Sequence, residues 1–120
     1  PNFISKTAKV FNKCSLGIGN IILPYSVVLP PTKIGNFNIL GTNTTILHHG
    51  DIANNCLIGG GCIIGAGTKI ANNTFIGVGC TIASRNLKIG SSCFISSGSV
   101  LFNNLQSKTK IIGNPARKIL

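Results

Sequence analysis

Residues 52–77 read IANNCLIGGGCIIGAGTKIANNTFIG, and an isoleucine returns at every sixth place: Ile52, Ile58, Ile64, Ile70 and Ile76. The same step continues outward in both directions. Toward the N-terminus it meets Ile46, Leu40, Ile34, Val28, Ile22, Leu16, Val10 and Ile4. Toward the C-terminus it meets Ile82, absorbs one extra residue within SRNLK (84–88), and resumes at Ile89, Ile95 and Leu101. A helix repeats its apolar face every 3.6 residues and a strand every two, so a period of six is neither alone. A second column lies four places after the ladder residue and is mostly small: Ala8, Cys14, Ser26, Thr32, Thr44, Cys56, Cys62, Thr68, Thr74, Cys80, Cys93 and Ser99. Between the columns stand Gly35, Gly59, Gly65 and Gly77, with Asn36, Asn54, Asn55, Asn72 and Asn73, residue types that tolerate the left-handed backbone of tight corners. Each six-residue unit therefore reads as a short strand and a corner, its ladder residue pointing inward. A sustained internal period of this kind marks a stacked-repeat architecture.

Composition agrees. The chain has 120 residues, enough for one domain with its own core, but only 6% are aromatic and none is Trp. The core must come from Ile, Leu, Val and small side chains. Mean hydropathy is +0.40, yet no apolar run reaches the ~18 residues of a membrane span. No signal-like stretch opens the chain, which predicts a cytoplasmic location. The net charge is +10, from eleven Lys and Arg against the single acid Asp51. Such a balance calls for an anionic partner. In sequence the basic residues look scattered rather than striped, and no aromatic platforms lie among them. Nucleic acid is therefore not expected; a phosphate-bearing small molecule or an anionic membrane surface fits as well. All five cysteines fall in the small inward column, which predicts free thiols packed as core filler, Cys62 stacked on Cys80.

The repeat resembles the hexapeptide-repeat family. The fold this implies is all-β: a single-stranded left-handed parallel β-helix of five to six coils, three units to each 18-residue turn. We expect the β-helix over 1–101 and a C-terminal loop and closing segment over 102–120. Residues 18 apart become vertical neighbours, ~4.8 Å from each other.

Candidate chemistry centres on the only two histidines, His48 and His49. His48 falls two places after Ile46, at a corner, where the expected neighbours are Pro30 and Ala66. It reads as a solvated corner residue or as a functional base. Zinc needs at least three protein ligands, and two adjacent histidines with one Asp do not supply them, so no metal is expected. A longer resemblance favours the base. Ile4-Ser5, His48 and the closing Gly113-Asn114-Pro115-Ala116-Arg117 are similar to the sugar acetyltransferases that act on sialic acid or nucleotide-linked amino sugars. That resemblance implies a homotrimer, acetyl-CoA as co-substrate, a sugar or nucleotide-sugar acceptor, and His48 as general base, a role suited to a side chain that titrates near neutrality. It makes His49 the modulating neighbour, in the place of the family's acidic residue. Leu57 stands where relatives carry a second histidine. Asp51 shares its column with Lys33 and Lys69 and reads as part of an ion-pair ladder. By resemblance, the cofactor contacts are Ala66 and Gly67 in GAG, Val78 and Gly79 in GVG, and Ser97 in SSGS. The basic C-terminal part, with Arg117 and Lys118, reads equally as a CoA-phosphate contact or a solvated tail. The alternative to an enzyme is a non-catalytic β-helix scaffold that has lost the chemistry.

Overall fold

A computed structural model of the chain describes residues 1–119; residue 120, the last of the expected closing segment, lies outside the described residues. The chain winds into a triangular prism about 39 Å long and 21 Å across, a left-handed β-helix of about six turns with no α-helix among the described residues. Each hexapeptide contributes a two-residue strand. The first strand residue faces outward and the second, the ladder residue, faces the axis.

The strands stack into three sheets. The first runs from Phe3–Ile4 through Ile21–Ile22, Ile39–Leu40, Leu57–Ile58, Phe75–Ile76 and Phe94–Ile95 to Lys110–Gly113. The second stacks Lys9–Val10, Val27–Val28, Thr45–Ile46, Ile63–Ile64, Thr81–Ile82 and Val100–Leu101. The third stacks Ser15–Leu16, Lys33–Ile34, Asp51–Ile52, Lys69–Ile70 and Lys88–Ile89. Register follows the 18-residue turn, Ile64 pairing with Ile46 on one side and Ile82 on the other. The extra residue in SRNLK is accommodated at a corner, and the offset becomes 19, Lys69 pairing with Lys88 and Thr81 with Val100.

From Ile22 to Ile111 the ladder side chains are at most 3% exposed. The first coil differs: Ile4 is 41% exposed, and Val10 and Leu16 are half-buried, because no coil stacks beneath them. The second column is more than filler. Its side chains are short donors that cap carbonyls of the next coil: Ser26 to Gly41 (2.9 Å), Thr44 to Gly59 (3.0 Å), Cys62 to Gly77 (3.1 Å) and Cys80 to Ser96 (3.1 Å). Asn20 and Asn38 belong to this column too. They are fully buried, and each amide donates to the next coil while its oxygen accepts a backbone N–H. Among the described residues no buried side-chain nitrogen or oxygen lacks a partner, as burial in an apolar stack demands.

The cysteines are free thiols; four are buried, but Cys14, near the open first coil, is only half-buried. Burial pushes the Cys56 thiol up from its ordinary value. Contact with Cys80, together with burial, does the same to Cys62. Protonated thiols are what the carbonyl contacts require.

The expected loop over 102–110 is in part a sixth coil. Leu105 bridges Ile89 in parallel, and Thr109 is buried and donates to the Gln106 carbonyl at 2.7 Å. The chain then adds Lys110–Gly113 to the first sheet and turns back as the antiparallel strand Ala116–Lys118. This hairpin pairs the edge of Lys110–Gly113 and leaves only a three-residue strand at the end of the first sheet, and short edge strands discourage edge-to-edge pairing.

Candidate active site

His48 and His49 occupy the corner between the second and third sheets, and both are exposed. His49 takes a left-handed backbone, φ 60°, which turns its ring out of line with its neighbour's. The two rings meet edge to face, centroids 5.1 Å apart at 86°, with Nδ1 of one 2.8 Å from Nδ1 of the other. One nitrogen of that pair must carry the hydrogen and the other accept it. The rings also part company across the corner. His48 opens onto the second sheet, in a groove of about 490 Å³ with Ile63, Ala66, Thr81, Ser84 and Arg85. His49 opens onto the third, in a groove of about 340 Å³ with Lys13, Ser15, Lys33 and Asp51. Another groove, about 520 Å³, lies further along the third sheet beside Lys69 and Lys88 and is lined by no histidine.

One coil above His48 stand Ala66 and Gly67. The Gly67 N–H donates to the His48 carbonyl at 2.9 Å, and the Ala66 carbonyl accepts from Asn86 at 2.8 Å on the following coil. The Ala66 N–H donates to no group among the described residues. Ala66 lines the groove with His48, so an unpartnered backbone N–H stands one coil from an imidazole whose Nδ1 is engaged by His49. Gly65 lets the next coil stack closely on this corner: a Cβ there would meet the carbonyl oxygens of Ile82 at 2.6 Å and Ser84 at 2.9 Å. Gly67 has φ +72° and no room for a side chain beside Asn86.

The remaining expected contacts lie elsewhere on the same chain. Val78 and Gly79, with Ser97 one coil above, form the corner between the first and second sheets, where the Gly79 and Gly98 amides donate to Gly60 and Val78 (2.9 and 2.8 Å). Val78 is 61% exposed. The width of the second sheet separates this corner from His48. Arg117 and Lys118 sit on the closing hairpin at the end of the first sheet, where Arg117 pairs with Ile112 and Lys118 with Ile111. Lys118 faces Lys108 and Lys110 across a shallow cleft. One chain thus assembles His48, His49, Ala66 and Gly67, but not the other expected contacts.

One feature was missed in the sequence: Arg85 lines the His48 groove, and its signal was the one seven-residue repeat, since insertions in stacked repeats map to loops on one face, often the binding face. The expected column of Lys33, Asp51 and Lys69 stacks in register on the third sheet and extends to Lys88. No group of three or more His, Cys, Asp or Glu that could hold a metal lies together among the described residues, and none of them forms a helix long and apolar enough to cross a membrane.

The fold is shared with solved acyltransferases. The acetyltransferase domain of PglB from Neisseria gonorrhoeae, in complex with acetyl coenzyme A, superposes with a TM-score of 0.96 at 23% identity, over 99% of this chain and 58% of that one. PerB from Caulobacter crescentus, in complex with CoA and GDP-perosamine, gives 0.96 at 23% identity, over 99% and 57%. AntD, an N-acyltransferase from Bacillus cereus in complex with dTDP and 3-hydroxybutyryl-CoA, gives 0.87 at 19% identity, over 98% and 78%. At these identities the likeness is one of fold. The chain spans a little over half the length of the first two. No protein-family model matches it, and no curated protein matches it in sequence.

Proposed function

We propose that the chain carries the catalytic β-helix of an acetyl-CoA-dependent sugar acetyltransferase, transferring acetyl to an amine or hydroxyl of a sugar or nucleotide-linked sugar. The observation that carries this reading is the pairing, in one groove, of His48 with the unengaged Ala66 N–H. Acyl transfer needs a base for the attacking nucleophile and a fixed donor for the oxyanion, and those are the two groups present.

In this reading His48 carries its hydrogen on Nδ1 and donates it to Nδ1 of His49. Its Nε2 lone pair is then free. The acceptor's nitrogen or oxygen attacks the thioester carbonyl as Nε2 takes its proton. The carbonyl becomes a tetrahedral oxyanion held by the Ala66 N–H. Collapse breaks the carbon–sulfur bond, and the imidazolium returns the proton to the departing CoA thiolate. Atoms and charge balance without a metal. PglB's acetyltransferase domain is bound to acetyl coenzyme A and PerB to CoA and GDP-perosamine, which supports this choice of ligands.

Val78, Gly79, Ser97, Arg117 and Lys118 enter only if a neighbouring copy presents them, so we place the site between subunits of a homotrimer. The first sheet supports self-association: its outward column runs Phe3, Ile21, Ile39, Leu57, Phe75 and Phe94 before ending at Lys110, and Phe3 is 59% exposed. A cytoplasmic location remains part of the proposal, since acetyl-CoA is an intracellular co-substrate.

The test follows CoA thiol release with acetyl-CoA and a panel of amino sugars, nucleotide amino sugars and sialic acids. The wild type should turn over at least one acceptor, and His48→Ala should lose at least ~10²-fold in kcat, the contribution of a positioned general base. It should melt as the wild type does, since an exposed corner ring supports no packing. A scaffold that had lost the chemistry would neither turn over nor gain thermal stability with millimolar CoA, whereas a ligand at a hundred times its Kd adds roughly 2.7 kcal/mol.

A further inference from the structure

Arg85 is the cation in the His48 groove that the proposed chemistry leaves unused. It sits at the chain's one enlarged corner, between Ser84, also in the groove, and Asn86, whose left-handed backbone (φ 58°) closes the turn. Its guanidinium has no acidic side chain to pair with, because the only one in the chain, Asp51, lies on the third sheet. An unneutralised guanidinium lining the same groove as the base is suited to an oxyanion on the ligand.

We propose that Arg85 anchors the diphosphate of CoA, an assignment that rests on the acetyl-CoA reading above. Spacing selects the diphosphate. Arg85 stands two coils above His48 on the same corner, so their backbones are ~10 Å apart, and the arginine side chain extends the reach by several Å. From the sulfur of CoA to its first phosphorus are roughly thirteen bonds, a little over four extended residues, or ~15 Å. A thioester beside His48 and Ala66 therefore brings the diphosphate level with the guanidinium, the pantetheine arm lying along Ala66 and Ala83 between them. Arg117 and Lys118, the sequence's own candidates for this contact, lie on the first sheet and share no groove with His48 in the same chain.

Calorimetric titration of the intact protein with CoA, dephospho-CoA and pantetheine tests the assignment. Arg85→Gln should weaken CoA about 10- to 100-fold, the span for a lost charged hydrogen bond. Dephospho-CoA keeps the diphosphate and should weaken by the same factor; pantetheine lacks it and should bind both proteins equally. Arg85→Lys, which keeps the charge but not the planar fork, should fall between. Thermal midpoints should not move, as Arg85 is exposed. The proposal is overturned if Arg85→Gln binds CoA as the wild type does, if it weakens CoA but not dephospho-CoA, if pantetheine weakens equally, or if only the acceptor KM rises. Wild-type protein that binds none of the three ligands defeats the acetyl-CoA reading itself, an outcome distinct from all of these.

Discussion

His49 shows how much one backbone angle can decide. Its left-handed φ of 60° brings its Nδ1 to that of His48, where the resemblance to sugar acetyltransferases implies a carboxylate. A neutral imidazole can accept the Nδ1 hydrogen and hold the tautomer that leaves Nε2 free, but it adds no negative charge to stabilise the imidazolium of the proposed reaction. Replacement must respect the backbone. Alanine would be strained at this φ, whereas glycine and aspartate tolerate it. His49→Gly should lower kcat about tenfold, the value of one hydrogen bond, against the larger loss in His48→Ala. His49→Asp should raise kcat above the wild type. Nitrogen NMR of the rings gives an independent reading: His48 should show a single Nδ1–H tautomer in the wild type and a mixture in His49→Gly. Equal tautomer populations in both proteins would remove His49 from any positioning role.

At the scale of the repeat unit, equivalent positions on successive coils serve as internal controls. Cys62 donates to Gly77 as Thr44, one coil earlier, donates to Gly59. Cys62→Thr should therefore cost less than ~1 kcal/mol. Cys62→Val, similar in size but without a donor, should cost ~1–3 kcal/mol by stranding the Gly77 carbonyl. Denaturant melts will separate the two, and equal losses would reduce the column to packing alone. Ile64, wholly buried in the ladder, should not accept Asp at all, because an unpaired charge inside the stack has neither water nor partner. Asn72 is subtler. Read as an exposed corner it should accept Lys freely, but its oxygen receives the Asn54 N–H at 2.9 Å, one link in a chain with Asn36. Asn72→Lys should cost about 1 kcal/mol, one hydrogen bond.

On the whole molecule the three faces have separated by chemistry. The first is apolar, with Phe75 and Phe94 stacked 5.0 Å apart; the third carries the lysine column; the second holds the groove with His48. A face that is apolar from Phe3 to Phe94, before it ends in Lys110, is suited to assembly, and we expect light scattering to give about three times the 12.5 kDa chain mass. Leu57→Glu, in the middle of that face and 38% exposed, should shift the protein toward monomer while sparing its melting profile as a chain, since the side chain points away from the core. A monomeric wild type would sink the trimer and, with it, any role for Val78, Ser97 or the C-terminal cations in the same site as His48.

The inward register was legible in the sequence alone. A side chain every sixth place either faces the axis or does not, and burying a large aliphatic residue is worth ~1.5–3 kcal/mol. Repetition of that choice from Ile22 to Leu101 fixes which side chains line the axis; the left-handed turn of three units was what the resemblance to the hexapeptide-repeat family implied. The corner of His48 and its vertical neighbour Ala66 followed from the same arithmetic, because an 18-residue turn converts sequence distance into height. What repeats was readable; what departs from the repeat was not. The Nδ1 contact of the histidines depends on one φ angle, and the groove with Arg85 on how the corner absorbs a single extra residue. The thiol and asparagine contacts depend on donors meeting carbonyls one coil away. Hydrogen bonds are directional and short-ranged, so these details were decided only when the coils stacked.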